Sequence, residues 1–454
     1  MFELGRELRR FFSVDRTGLP ADGLTGGDSS LLELLDLKLL TQEAKAADIA
    51  AGRIGAKDKP RRRLESAIVW REVARRTGDA VALRKAAALA ETAAAGFETA
   101  KRTDGWARAR CEQAWCALLG AEIFGDPGLD AAAEAAFTEA RAGVRRGMAV
   151  ALADIGLAAI EGRRLLDKGD AAAAHALADG FSAPIAGLDA LAKRVTAARA
   201  LAAEARLIRA DLLSGFGARL KDVDLLREAA DEAADAADRL DPAYEPLTWA
   251  RAKIAQGQAM ALRGETCGDV DALAAGASAL ALALDNLSRD HSPLDWARSQ
   301  VALAQALQAL GEAAGDARAF EHAVSCYDRA ALVLKDTPNL PIRGLAAGAR
   351  AVCLARSAEI TGDLAVLDAA EAAMKIELAA LSPGRDPMGW ALAQLHLARL
   401  YEARIAMTGV DKGERAAALM ALDVALDVFA DHGLRSLSVL AYDAVERLST
   451  HVEG

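Results

Sequence analysis

The chain has 454 residues, of which 53% are hydrophobic, 26% charged and only 4% aromatic, and close to a quarter are alanine. With 37 glycines and 11 prolines this is a strongly helical composition, which excludes a disordered, collagen-like or disulfide-stapled chain and argues against an all-β fold. The formal net charge of -10, from 55 basic and 65 acidic residues, argues against a nucleic-acid binder, which needs a basic surface to displace counterions from phosphates.

Residues 1–27 read as an arm and loop. Written as a short helix, the first twelve residues place Leu4, Leu8, Phe11 and Phe12 on one face and Arg6, Arg9 and Arg10 towards the other. A basic amphipathic helix of this kind docks on an anionic membrane, on a partner or on its own protein. The Arg9-Arg10 pair lacks the apolar stretch of an export signal, because Asp15 and Arg16 follow at once. Residues 1–110 carry 21 Lys/Arg against 16 Asp/Glu, and the remainder 34 against 49. A mildly basic front end therefore precedes an acidic array, whose charges are solvated helix faces or a surface for cationic partners. Within 28–58, Ser29 and Ser30 followed by Leu31, Leu35 and Leu39 predict one capping helix over residues 29–54.

From residue 59 to 433 the sequence repeats itself. Trp-Ala recurs at Trp106, Trp249, Trp296 and Trp390, the last three on a 47-residue grid with Arg343 in the vacant slot. About twenty residues after each slot stands a turn: Gly125-Asp126, Gly268-Asp269, Gly315-Asp316, Gly362-Asp363 and Gly409-Val410. Gly78-Asp79, Gly169-Asp170 and Lys221-Asp222 supply the rest, giving about eight units that start near 59, 106, 150, 202, 249, 296, 343 and 390. Each unit reads as helix, turn, helix. In residues 291–335, Ser292 caps, Pro293 starts the first helix and Asp295 suits its dipole. Trp296, Leu303, Leu307 and Leu310 then recur at helical spacing, Gly311 and Gly315 break the helix, and a second helix follows over about 317–334. Steps of 44 and 52 residues make the pattern irregular near 150–222. There Gly180 to Pro184 cuts one helix short and residues 188–213 predict an unusually long one, so the region is a kink or a boundary between two halves. Residues 434–454 form a C-terminal cap, shielding the last apolar surface as a solenoid requires.

Chemistry-bearing patterns are absent. No phosphate loop, H-E-x-x-H or G-x-S-x-G motif occurs, and His175, His291, His322, His396, His432 and His451 are scattered without metal-ligand spacing. No catalytic, metal or cofactor residue is assigned, and the chain reads as a non-enzyme. Cys111, Cys116, Cys267, Cys326 and Cys353 form no C-x-x-C pair and sit in apolar helical stretches, as buried thiols of a reducing cytoplasm do. Trp106, Trp249, Trp296 and Trp390 are expected in the core between units.

The run P-L-D-W-A-R-S-Q-V-A-L-A-Q-A-L-Q-A-L-G-E at 293–312, followed by A-F-E-H-A-V-S-C-Y-D-R-A at 319–330, resembles the bacterial tetratricopeptide-type repeat with a P-L-x-W-A opening and a lengthened period. The similarity spans 59–433 in pattern and is sharpest over 243–410. It implies an all-α fold, an α-solenoid of stacked antiparallel hairpins in a right-handed superhelix, and a scaffold that binds a protein or peptide on its concave face. The asparagine common in the first helix of such repeats is missing, since the chain has only Asn286 and Asn339, and a carboxylate clamp of the familiar kind is not expected. The concave candidates are instead Arg108, Arg251 and Arg298, each two residues after a tryptophan slot, with Gln258, Gln305, Gln308 and Arg399. Arginines so placed pair with acidic partner side chains or serve only as soluble helix formers. A membrane-peripheral recruitment factor anchored by residues 1–12 and a self-assembling homo-oligomer are the alternative readings.

Overall fold

The computed structural model describes residues 25–450 apart from 26, 54–55, 167, 336, 338–339, 385 and 433–434. Leu4, Leu8, Phe11, Phe12, Arg6, Arg9 and Arg10 lie outside the described residues. Among those described, all regular structure is helical. The chain falls into two compact units, residues 1–299 and 300–454. The first contains α1 (Ser29–Leu32), α2 (Leu37–Gly52), α3 (Lys59–Thr77), α4 (Ala80–Thr99), α5 (Thr103–Phe124), α6 (Gly128–Gly143), α7 (Met148–Leu166), α8 (Ala171–Gly180), α9 (Ser182–Ala192), α10 (Ala197–Leu220), α11 (Val223–Asp238), α12 (Pro246–Cys267) and α13 (Val270–Asn286). The long helix α14 (Pro293–Ala314) begins in the first unit and ends in the second. The second continues with α15 (Ala317–Leu334), α16 (Pro341–Thr361), α17 (Leu364–Ala380), α18 (Pro387–Thr408), α19 (Glu414–Asp431) and α20 (Arg435–Thr450). Successive helices pack as hairpins, the helical-repeat class expected from the sequence.

The repeated Gly-Asp turn has a local cause. Gly78, Gly125, Gly268, Gly362 and Gly409 close α3, α5, α12, α16 and α18 in the left-handed region, with φ between 64° and 74°, where a side chain would be strained. The following aspartate then caps the next helix: Asp79 accepts from Val81 N at 2.7 Å, Asp269 from Ala272 N at 3.0 Å and Asp363 from Ala365 N at 2.9 Å. One residue thus ends a helix and the next begins another, which fixes a tight hairpin. Lys221 takes the same conformation at the end of α10 without glycine's freedom, at φ 55°.

Packing explains the alanine content. The residue after each repeated tryptophan, Ala107, Ala250, Ala297 or Ala391, is fully buried, whereas the tryptophans themselves are half-buried. Trp249 and Trp296 flank a cluster of Leu247, Ala250 and Leu287 rather than filling it. The tryptophans thus pack against the core clusters from their edges, Trp106 and Trp249 each touching two of them. Small residues let the helices approach closely, and Trp106 fits against α6 only where Gly143 has no side chain. The limit is reached between α12 and α13, where a methyl on Gly276 would lie 2.8 Å from the carbonyl oxygen of Gly257. The core is a succession of local clusters, such as Phe137, Ile155, Phe181 and Leu188 in the first unit and Leu422, Phe429, Ala441 and Leu448 in the second.

Three expectations change. The single helix over 29–54 is two helices, because α1 ends at Leu32 and Asp36, in extended geometry, caps α2 through Leu39 N at 2.8 Å. The long helix over 188–213 is displaced to Ala197–Leu220, after a break at residues 193–196 where the amides of Arg194 and Val195 both turn back to Leu191 O. Residues 150–249 lie wholly within the first unit, and an added helix, α9, accounts for the lengthened step. Cys267 is exposed, unlike the other four cysteines, because it closes α12 one residue before the left-handed Gly268.

Candidate interaction site on the inner face of the first unit

Helix α3 supplies the centre of the site. Arg71, Glu72, Arg75 and Arg76 stand at i, i+1, i+4 and i+5, so they share one broad face. That face turns inward, against α1, α5 and α10. Arg71 Nε donates to Glu112 of α5 at 2.5 Å, and Arg75 pairs with Glu204 of α10. Arg76 is completely buried. Its Nε donates to Glu72 at 2.7 Å, while Nη1 and Nη2 donate to the backbone carbonyls of Leu35 at 2.7 Å and Leu32 at 2.9 Å. From the opposite side, Arg251 of α12 grips Asp295 at 2.6 Å, and Ser292 also donates to Asp295 at 2.7 Å. Asp295 lies in the first turn of α14 as expected from the sequence, and it is also the buried counter-ion of Arg251.

Between these helices lies the turn from Leu32 to Asp36. The Glu33 carboxylate sits at the N-terminus of α12, where it accepts from Leu247 N and Thr248 N, both at 2.9 Å, and from the Thr248 hydroxyl. Free amides and the helix dipole make that end a natural seat for an anion. The Glu33 carbonyl accepts from His291 Nε2 at 2.6 Å, which requires the Nε2–H tautomer, and Leu37 N donates to Asp290 O at 3.1 Å. Leu32 and Leu35 are buried beside it. A cavity of about 10 Å³, room for one water at most, remains between Leu32, Glu33, Ile68, Arg71 and Leu201.

Burial sets the charge states here. It pushes the Glu33 carboxyl up to about 7, against the pull of Arg251 and the Thr248 donors. Burial also opposes the charge of Glu72, but Arg76, Arg75 and Arg251 outweigh it and hold that carboxyl at about 2. The same contest, decided by Arg251 and Arg75, keeps Asp295 well below the ordinary carboxylate range. Burial and the neighbouring Arg76 bring His291 down to about 4, so it is neutral.

The sequence candidates separate on this frame. Arg251 is committed to Asp295, and Arg298 reaches Glu122 of α5 at 2.8 Å, across 176 residues of chain. Arg108 is half-buried beside Glu112 and Arg71, with no hydrogen bond or ion pair of its own, and burial lowers its pKa. Gln258 and Gln305 are exposed, while Gln308 donates to Glu312 at 3.1 Å. Arg399 belongs to a separate ladder in the second unit: Arg356 to Glu359 at 2.6 Å, Arg399 to Glu359 at 2.9 Å and to Glu402 at 3.3 Å, and Arg447 to Glu402 at 2.6 Å. The structure thus unites Arg108 and Arg251 with a cluster that sequence reasoning missed: Glu33, Arg71, Glu72, Arg75, Arg76 and His291. A signal was present. Glu33 interrupts a run of leucines, and charged pairs occupy consecutive positions of α3 where a solvated face would alternate with apolar ones.

Among the described residues no group of three or more His, Cys, Asp or Glu could hold a metal ion, and no helix is long and apolar enough to cross a membrane. No family model and no curated protein matches the chain. Among solved structures it is similar to a Rap protein complexed with competence and sporulation factor, at 10% identity and a TM-score of 0.42, over 90% of this chain and 98% of that one. It is also similar to a circular tandem repeat protein with novel repeat topology and enhanced subunit contact surfaces, at 14% identity and a TM-score of 0.29, over 93% and 97% of the two chains. Neither superposition is close enough to transfer a function.

Proposed function

We propose that the chain is a non-enzymatic, tetratricopeptide-like scaffold of the P-L-x-W-A variety that binds a segment of a partner protein on the inner face of its first unit. On this reading residues 59–433 are eight hairpin repeats between capping helices at 28–58 and 434–454. The observation that carries it is how the inner face treats the chain's own residues 32–36. Arg76 and His291 hold three backbone carbonyls, and the N-terminus of α12 holds a carboxylate. Donors aimed at main-chain carbonyls, together with a socket for one acidic side chain, are the chemistry of peptide recognition. Arg108, free of internal partners, and the exposed Gln258 are the candidates left to reach a bound partner. The test is affinity purification from the native cell with the full chain and its Arg108→Glu variant as paired baits. The reading expects a stoichiometric partner with the first bait and its loss with the second. Equal recovery on both would place the interaction elsewhere.

Self-association is a second reading with one observation behind it. Val439, Leu440 and Tyr442 of α20 are each more than half exposed, at 56%, 56% and 61%. Light scattering of the intact chain against a Leu440→Glu variant tests it, and an unchanged monomeric mass for both would remove it.

A further inference from the structure

Residues 29–36 have the character of a docked peptide more than of a structural element. Helix α1 is a single turn, and four residues of helix have no stability alone, so the site imposes their shape. The contacts that hold the segment are of two kinds. Arg76 to Leu32 O and Leu35 O, and His291 to Glu33 O, are made to the main chain and are indifferent to sequence. The carboxylate of Glu33 at Leu247 N and Thr248 N, and the sockets of Leu32 and Leu35, read side chains. The contacts to Arg76 span 41 and 44 residues and those to α12 and His291 span 214 to 258, so the segment ties α3 to α12 and to the turn before α14. A purely structural tie gains little from an acidic residue here, because burying a charge costs desolvation that a leucine avoids. A carboxylate gives what a leucine does not, a specific and reversible grip. The site also keeps a donor in reserve: Arg251 Nη1 is buried without a hydrogen bond, 3.9 Å from a carboxylate oxygen of Glu204.

We infer that residues 29–36 are an internal ligand of the inner face, and that the partner is a protein segment of the same chemistry: leucines flanking one glutamate, which takes the seat of Glu33 and displaces it. This rests on the peptide-binding reading above and adds to it the occupant. The closed segment then lowers the partner's apparent affinity by the fraction of time it is seated.

The probe is a fluorescein-labelled peptide with the sequence of residues 29–38, S-S-L-L-E-L-L-D-L-K, added to the full-length chain. Fluorescence anisotropy should find at least tenfold tighter binding to a Glu33→Ala chain, whose segment is weakened and whose socket is intact, than to the wild type. The same peptide with glutamine for its glutamate should lose at least tenfold on the variant. Binding to neither folded chain, or binding that ignores the glutamate, overturns the inference. Should Glu33→Ala not fold, hydrogen exchange on the wild type decides. Excess unlabelled peptide should speed exchange in residues 29–36 while leaving α3 and α12 protected, and unchanged exchange there overturns it. If exchange fails while a native partner is still lost from the Arg108→Glu bait, only the internal-ligand idea falls. If that bait also retains its partner, the inner-face reading falls with it.

Discussion

The two units use arginine in different ways. In the first, ion pairs and charged contacts bridge distant parts of the chain: Arg75 reaches Glu204 over 129 residues, Arg298 reaches Glu122 over 176, and Glu33 reaches Leu247 over 214. In the second, the ladder from Arg356 to Arg447 joins near neighbours, with spans of 40 and 45 residues, about one repeat. Stacked repeats ordinarily contact only their neighbours, so stability is local and additive. The second unit follows that rule. The first departs from it, because its inner helices and the segment before α2 meet across several repeats. The lesson is that a uniform sequence repeat can produce both a one-dimensional stack and a closed unit with a buried polar centre, and that the first-helix positions carrying charge decide which.

The largest effect expected from this contrast is at Arg76. Replacing it by alanine leaves Glu72 without its closest cation, takes the side-chain donor from the Leu35 carbonyl and leaves the Leu32 carbonyl only the Leu35 amide, which should destabilise the first unit by about 3–5 kcal/mol. Pulse-labelling hydrogen exchange in urea reads peptides of each unit separately and checks it. The second unit should be untouched, and a loss shared equally by both would erase the distinction. Trp296→Ala comes next. A half-buried tryptophan at the rim of the Leu247 and Leu287 cluster should cost about 2 kcal/mol, less than a fully buried one. A cost above that range would put the indole back in the core. Arg399→Ala lies at the other end. Its partners Glu359 and Glu402 retain other cations, and the pair is partly solvated, so under about 1 kcal/mol of the second unit's stability should be lost. A loss as large as that of Arg76→Ala would mean the two polar networks do not differ in kind.

The hairpins were legible because they rest on local chemistry. A glycine that takes positive φ and an aspartate that caps are written next to one another, and proline at the start of α12, α14, α16 and α18 marks the other end. The recurrence of tryptophan marks the repeat, but its depth is not written there: the alanine after it is the residue that is fully buried, and only the assembled packing reveals that. The site was legible in part. Arg108, Arg251 and Arg298 share one offset in the sequence, but Asp295 and Glu122, which pair with Arg251 and Arg298, come from other repeats, and no periodicity specifies which carboxylate meets which arginine. Glu33 lay furthest beyond reach. Its helix looked continuous, and only the amides of Leu247 and Thr248, more than two hundred residues away, give its carboxylate a reason to be buried.

The smallest effect, and the one that compares the units most directly, is the dependence on pH between 7 and about 4.5. In the first unit burial raises Glu33 from 4.5 to about 7, so the folded state holds a proton that the unfolded chain releases. That contribution is fully present below about 4.5 and is lost as pH rises through 7. Asp211 of α10, likewise pushed up to about 7 by desolvation and by the nearby Glu122, has the same sign. His291 opposes them, since its folded value of about 4 lies below the ordinary 6.5 and acid favours the unfolded chain. Two carboxyls against one imidazole leave the first unit flat or gaining slightly as pH falls towards 4.5. In the second unit His396 packs against the backbone of Gly348, and burial alone lowers it to about 4. No carboxyl with a raised value is described there to offset it, so that unit should lose stability over the same interval. Unfolding midpoints in urea at pH 7 and pH 5, followed unit by unit, should therefore differ: unchanged or slightly higher at pH 5 for the first unit, lower for the second. His396→Leu should flatten the second unit's response, and Glu33→Gln should tilt the first unit's towards loss at low pH. Parallel slopes that neither substitution alters would show that these buried groups do not govern the pH response of either unit.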